Sequence, residues 1–472
     1  MSRASRRVLH TALSQLSAAT GHPDFTGIGF RAGQHAFNSP FRSAEAASAA
    51  LLAGASIASS IGAARHQQTA GVELSSRHAE ASLLSFLYLR FSDPGRAPAA
   101  RIAPEDRTAA AGFFRARDDR WVYLHPGFPH NTEGLLKLLG TPDNREAVTA
   151  RIREISAATL EDQMAAAGLC GAMVRAPEEW DISVPGRLLR SQPVVEIIQI
   201  GESPREPLPG TGSKPLDGLK VLDLTRILAG PTCARTLASY GAGVLRVGAE
   251  HLPSIPLFVA DTGFGKRSCH LDLNLPADLT TLKRLIGEAD VFSQSYRTGV
   301  MEHFGIGAMD LARLRPGMVA VSINCYGHEG DWRGRPGWEQ LAQTVTGMAQ
   351  VQGNHLGAEG PALMPAAVND YTTGYLAALG TLAALQRRAE TGGSYWVRVS
   401  LARTAMWIRD LGGIRNPGTR PLSEKEIGKY SATMETAWGP VRYLRPAVTI
   451  AGTDVGWHLP PAPLGSSPAV FD

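Results

Sequence analysis

The sequence predicts an α/β fold built on a parallel sheet, and three observations lead there. Residues 219–248 read as strand, turn, helix and strand: LKVLDLTR is an apolar run with a polar tip, ILAGPTCARTLASYGAG turns through glycine and proline into a helix, and VLRVG is a second apolar run. Apolar runs of this kind belong to strands covered by helices on both faces. The alternation continues through GKRSCHLDLN, the helical PADLTTLKRLIGEA, DVFSQSYRTGVMEHFGIG and the strand-like MVAVSINCYG. With 44% hydrophobic and 19% charged residues the chain has a soluble globular composition, and 472 residues exceed one ordinary core, so about two or three domains are expected.

From the N-terminus, MSRASRRVLHTALSQLSAAT is basic and free of acids until Asp24, as a transit peptide would be. It reads better as an amphipathic helix with Val8, Leu9, Leu13 and Leu16 on one side. Residues 40–92 hold an alanine-rich helix, the short TAGVELS stretch and a second helical run from Arg77 to Leu89. No apolar run is expected to span a membrane. At Phe113 the character changes to FFRARDDRWVYLHP, with a strand from Trp121 to His125, then helices around His130–Leu139 and Arg145–Ile155. The expected organisation is a helical segment at 1–107, a small α/β domain at 108–200, a proline- and glycine-rich linker at 201–215, a large domain at 216–412 and an irregular tail at 413–472.

Composition narrows the function. A net charge of +4 without a lysine-rich run gives no nucleic-acid footprint, while an anionic small ligand suits the balance. Cys170, Cys233, Cys269 and Cys325 lie far apart without metal spacing, which favours a reduced, cytoplasmic compartment and no metal. Ligands of parallel sheets sit beyond the carboxyl ends of strands, which singles out Thr225, Arg226 and the Ala229-Gly230-Pro231 turn. That turn lacks the glycine spacing of a dinucleotide fingerprint or P-loop, so NAD and ATP are disfavoured. Lys266, Arg267 and Arg297 stand beside predicted strand ends, where cations meet phosphates or simply face solvent.

The stretch NDYTTGYLAALGTLAALQRRAETGGSYWVRVS, from Asn369 to Ser400, places Asp370 just before a helix with Tyr375, Leu376, Leu379, Leu382 and Leu385 at helical spacing. Gly374, Ala377, Ala378, Gly380, Ala383 and Ala384 leave one flank small enough for another backbone or a flat ligand. Asp370 is either a helix cap or a nucleophile. The pattern has an earlier echo: TAGVELSSRHAEASLL against TGGSYWVRVSLARTAMWI suggests an internal repeat, with Glu45 near the place of Asp370.

Taken in order, PLDGLKVLDLTRILAGPTCARTLASYGAGVLRV, GKRSCHLDLN, ADVFSQSYRTGVMEHFGI, SINCYGHEGDWRGRPGWEQLAQTVTGMA and the Asp370 stretch resemble the family III CoA-transferases, a group related to the α-methylacyl-CoA racemases. The resemblance covers roughly residues 215–410. It implies a Rossmann-like large domain, a smaller α/β domain, an interlocked homodimer, and coenzyme A thioesters with a carboxylic acid as substrates, with no tightly bound cofactor. It implies Asp370 as the nucleophile that carries an aspartyl-CoA thioester, a chemistry that needs N–H groups for the oxyanion, with the helix start and nearby glycines as the expected donors. Coenzyme A positions would be Arg226, Ala229, Gly230, Lys266, Arg267, Ser295, Tyr296, Arg297, Asn324, Tyr326 and Gly327. Two alternatives remain: α-proton transfer by Asp370 with a histidine such as His328, and coenzyme A binding without turnover. The sequence departs from the family where Gly248 replaces an acid after the second strand, where the following loop is shortened to AEHLPSIPLFVADTGFGKRS, and where the small domain precedes the large one. The last suggests a permuted or degenerate tandem order.

Overall fold

The computed structural model describes residues 3–471 except 24, 26, 67–69, 94, 96, 98–107, 209–211 and 416. Seven strands form the main sheet in the order Lys266–His270, Gly243–Gly248, Lys220–Leu224, Val291–Gln294, Val319–Asn324, Ser394–Ser400, Glu196–Gly201. All neighbours are parallel except the last pair, which is antiparallel. Val221, Leu222, Val291, Phe292, Val319 and Val321 are fully buried, as expected of strands sandwiched between helices. The edge strand Glu196–Gly201 belongs to this sheet, so the small domain ends before it and not at residue 200. Part of the expected linker, 209–211, lies outside the described residues, as does the turn after the first alanine-rich helix.

The small domain carries a three-stranded antiparallel sheet, Gly112–Arg115, Trp121–Leu124 and Gly171–Met173, backed by helices Pro129–Leu139, Arg145–Ile152 and Ala157–Ala166. Phe114, Leu135, Ile152 and Met164 close a core of its own. The run expected as one helix from Arg77 to Leu89 is instead a helix at Ser76–Ser82 followed by a tight turn at Ser85–Tyr88.

Two long helices run through the centre. The Asp370 helix spans Val368–Thr391, and the Glu45 helix spans Ser43–His66 and packs along it, with Gly54 against the backbone of Leu379. The small flank of the Asp370 helix meets protein and not a flat ligand: a Cβ at Gly374 would lie 2.5 Å from the Ala229 carbonyl, and one at Gly380 would strike Val397 and Val195. Leu376, Leu379, Leu382 and Leu385 are buried on the other flanks, each worth roughly 1.5–3 kcal/mol. The Glu45 helix contradicts one expectation: Ser43–Ala63 is long and apolar enough to cross a membrane by length and composition. Most of that stretch is buried inside the fold, which accounts for its all-round apolarity.

The tail is not irregular. Helix Glu424–Tyr430 leads into an antiparallel hairpin, Ser431–Thr436 with Gly439–Leu444, and Val448–Ile450 then pairs with Val72–Ser75. Together with Ile28–Arg31, these last two form a separate three-stranded sheet beside the Glu45 helix.

Candidate active site

Asp370 lies inside the first turn of its helix, whose cap position is Ala367, so it is not the cap. Glu339, from the start of helix Glu339–Val345, does that work. Its Oε1 accepts the Asn369 N–H at 3.1 Å and its Oε2 accepts the Asp370 N–H at 2.5 Å. Gln343 Nε2 adds a bond of 2.7 Å to Oε1 and accepts the Met364 N–H through its own oxygen. A carboxylate over a helix N-terminus satisfies orphan donors and the positive end of the dipole. One expectation falls with this: the N–H groups of Asn369 and Asp370 are already engaged and cannot serve as oxyanion donors.

Both acids are buried. Burial first, and the Glu339 charge second, hold the Asp370 carboxyl well above the usual carboxylate range. Burial also raises Glu339, opposed by its bonds from Gln343 and the two backbone N–H groups. Two like-charged groups in one dry site do not both ionise readily. Glu339, with three donors, is the better home for the negative charge, and Asp370 for the proton.

The Asp370 carboxyl stands where two cavities meet. The smaller, about 250 Å³, is lined by Arg226, Arg297, Arg333 and Arg335 together with Ala229, Gly230, Ser295, Tyr296 and Asn324. Most of the sequence-expected positions are therefore gathered beside Asp370. Arg226 is set by three contacts: its N–H donates to Ser295 Oγ at 3.1 Å, its guanidinium donates to the Pro253 carbonyl, and it lies over the Phe128 ring at 5.2 Å. Asn324 is locked in a reciprocal pair with the Gly327 backbone, at 2.8 and 2.7 Å.

Four expected positions lie outside this lining. Lys266 is buried in an ion pair with Asp223 at 2.7 Å and a bond to the Pro231 carbonyl at 2.8 Å, so it ties strand to strand and holds the turn after Lys220–Leu224. Arg267 follows it on the same strand. Tyr326 is buried edge-on against Trp332, and Gly327 takes a φ of +90° in the turn that fixes Asn324. His328 lines neither cavity; burial pushes it down to about 3, and it meets Trp396 edge-on.

The larger cavity, about 1030 Å³, opens on the other side of Asp370 between the small domain and residues 84–87, 255–258 and 363–367. Phe128, Ile227, Trp338, Glu339 and Asp370 belong to both linings, so the two cavities adjoin there. Ile227 holds a φ of +70°, a left-handed value that β-branched residues rarely adopt, and such strain collects at functional turns. Glu45, in contrast, lines neither cavity. It bonds Arg42 at 3.0 Å and faces His35 at 3.8 Å.

Residues 216–426 match the profile of CoA-transferase family III. That stretch, somewhat under half of the chain, is similar to the family III CoA-transferases. Among curated relatives, the acetyl-coenzyme A transferase nodX of Hypoxylon pulicicidum is 35% identical over 66% of this chain and 56% of its own length. An acyl-CoA transferase of Gibberella moniliformis is 37% identical over 56% of this chain and 48% of its own length. The beta subunit of succinyl-CoA–L-malate CoA-transferase of Chloroflexus aurantiacus is 32% identical over 42% of this chain and 52% of its own length. The chain thus spans about half the length of the curated relatives it matches. A solved CAIB/BAIF family protein from Brucella suis aligns at 25% identity with a TM-score of 0.38, over 48% of this chain and 65% of that one, too partial a superposition to carry an argument.

Within the matched stretch, local sequence does not single out Glu339, Arg333 and Arg335, although all three stand in the quoted segment GDWRGRPGWEQLAQ. An acid followed by an amphipathic run reads as an ordinary helix start; only the tertiary arrangement sets it over a different helix. Phe128 and His125 come from the small domain, which motif reading had kept apart from the chemistry.

Proposed function

We propose that this protein transfers coenzyme A from an acyl-CoA to a carboxylic acid through Asp370. The observation that carries this is the placement of a buried carboxyl, unpaired with any cation among the described residues, at the junction of an arginine-lined cavity and a larger apolar one. The arginines suit the phosphates of coenzyme A, and the larger space suits the acyl group. The curated relatives' names, acyl-CoA transferase and succinyl-CoA–L-malate CoA-transferase, support the same reaction class.

In its ionised form Asp370 attacks the thioester carbonyl through one carboxylate oxygen; the C–S bond breaks, leaving a mixed anhydride and free thiolate. The thiolate attacks the aspartyl carbonyl, the donor leaves as its carboxylate, and an aspartyl-CoA thioester remains. An acceptor carboxylate then attacks that thioester, and the same two exchanges in reverse return Asp370 as a carboxylate and release the new acyl-CoA. No proton or electron is gained or lost overall, and thioester energy is kept if water is excluded. Burial of Asp370 serves that exclusion. The raised pKa sets a condition, because only the ionised form attacks: rate increases as pH rises through the Asp370 value.

Intact-protein mass after mixing with a panel of acyl-CoAs tests the proposal. A coenzyme A adduct that disappears in Asp370→Ala and on hydroxylamine treatment is expected. Coenzyme A binding with no adduct from any thioester would overturn it.

A further inference from the structure

The two cavities that meet at Asp370 are chemically opposite, and the difference identifies a substrate class. Every arginine beside Asp370 belongs to the smaller cavity. Among the described residues, the larger cavity is lined by no lysine or arginine, and its only charges apart from the reacting pair are Glu133 and Asp143, both exposed at its rim. Asp143 already accepts bonds from the Thr108 hydroxyl at 2.8 Å and the Ala109 N–H at 2.6 Å. The walls are mainly aromatic and aliphatic, with Thr108, His125, Thr132, Gln340 and Gln343 as uncharged polar groups among them. Phe86 meets Phe258 edge-on at 4.9 Å on one side, and Phe128 meets Trp338 edge-on at 5.3 Å on the other, with Leu363 and Met364 closing the space.

We propose that the larger cavity accepts a large apolar monocarboxylate, as the acyl group of the thioester or as the free acid, and discriminates against dicarboxylates. This rests on the coenzyme A transfer reading of the same site. Two physical arguments converge. A space of about 1030 Å³ stands at the top of the range filled by drug-sized ligands, and a two- to four-carbon acyl group would leave most of its apolar wall uncovered. A second carboxylate carried past Asp370 would lose its water among phenylalanines and leucines with no lysine or arginine among the described lining residues to meet it, and would approach two rim acids of its own sign. The arginines line the smaller cavity and not the larger one, and in this reading they are engaged by the phosphates.

The test is the rate of coenzyme A adduct formation on the intact protein with butyryl-, succinyl-, decanoyl- and 2-naphthoyl-CoA, read by mass. Decanoyl- and 2-naphthoyl-CoA are expected to react about 100-fold faster than succinyl-CoA at limiting concentration, with butyryl-CoA between them. Succinyl-CoA reacting as fast as decanoyl-CoA would overturn this inference and leave the transfer reading standing. No adduct from any of the four would remove the transfer reading and this inference together. Leu87, 43% exposed on the lining, tolerates a cation without loss of the core. Leu87→Arg should raise the succinyl-to-decanoyl rate ratio about tenfold. An unchanged ratio, with both rates falling alike, would overturn the charge argument.

Discussion

Asp370 and Glu45 occupy comparable places with opposite outcomes. Each stands in the first turn of a 24-residue helix rich in small residues, each is buried, and the two helices pack against one another. Glu45 is held by Arg42, the residue just before its helix, and faces His35, which also approaches Glu80 at 3.7 Å. Asp370 has no such cation among the described residues. Its neighbour is another acid, and it opens onto two cavities. Position on a helix therefore does not make a carboxyl reactive. What the proposed reaction draws on is the absence of a counter-ion among the described residues, a like charge that raises the Asp370 carboxyl, and room for a substrate.

The largest effect that would break this comparison is on turnover. Asp370→Asn should reduce coenzyme A exchange by about 10⁴-fold or more and abolish the mass adduct. Glu45→Gln should leave exchange within about twofold of the parent, since it touches neither cavity. If Glu45→Gln lost exchange while retaining its circular dichroism and melting temperature, the two acids would not be separable as drawn here. Next in size, Arg226→Ala should lower kcat/KM by about 10–100-fold, chiefly through KM, because it removes a charge-assisted contact to a phosphate. A loss confined to kcat would place Arg226 elsewhere in the reaction.

Glu339 sharpens the comparison by pH. Glu339→Gln keeps an oxygen for the helix N–H groups but removes the charge that helps to raise Asp370. The acid limb of kcat should move to lower pH, whereas an unmoved limb would mean that burial alone sets Asp370. Glu339→Ala in addition leaves the helix start uncapped and should cost about 1 kcal/mol in urea unfolding.

The smallest effect belongs to the Glu45 side. A bond to Glu80 raises His35, and burial opposes it. Stability from protonated His35 is full below the unfolded pKa and fades as pH rises through the higher folded value. The acids facing it are Glu45 and Glu80, with Arg42 opposing and Arg77 beside Glu80. His35→Gln should lower the melting temperature by about 1–2 °C at pH 5.5 and by less at pH 8.5. An equal loss at both values would assign the effect to packing.

Much of this was legible in the sequence because it is local. The apolar runs of the sheet, the turn after Lys220–Leu224 and the small-residue helix after Asp370 each announce themselves within some thirty residues. What depends on distant pairing was not. Lys266 has the same local context as a phosphate-binding cation and is instead consumed by Asp223. Glu339 caps a helix that begins some thirty residues later. Ile227 adopts its left-handed backbone because of its surroundings and not its residue type. The tail seemed structureless because its strands are short and one partner, Val72–Ser75, is near the other end of the sequence.

That last pairing has a consequence for biogenesis. Val448 lies opposite Leu74, so the sheet beside the Glu45 helix cannot close until residue 450 has left the ribosome. Until then Val72–Ser75 has only Ile28–Arg31 as a partner, and an apolar alanine-rich helix waits for the Asp370 helix that will cover it. Closure of so long a loop is slow and exposes sticky surface meanwhile, so the N-terminal segment is made first yet matures last, which marks it as the part of the nascent chain most dependent on chaperones.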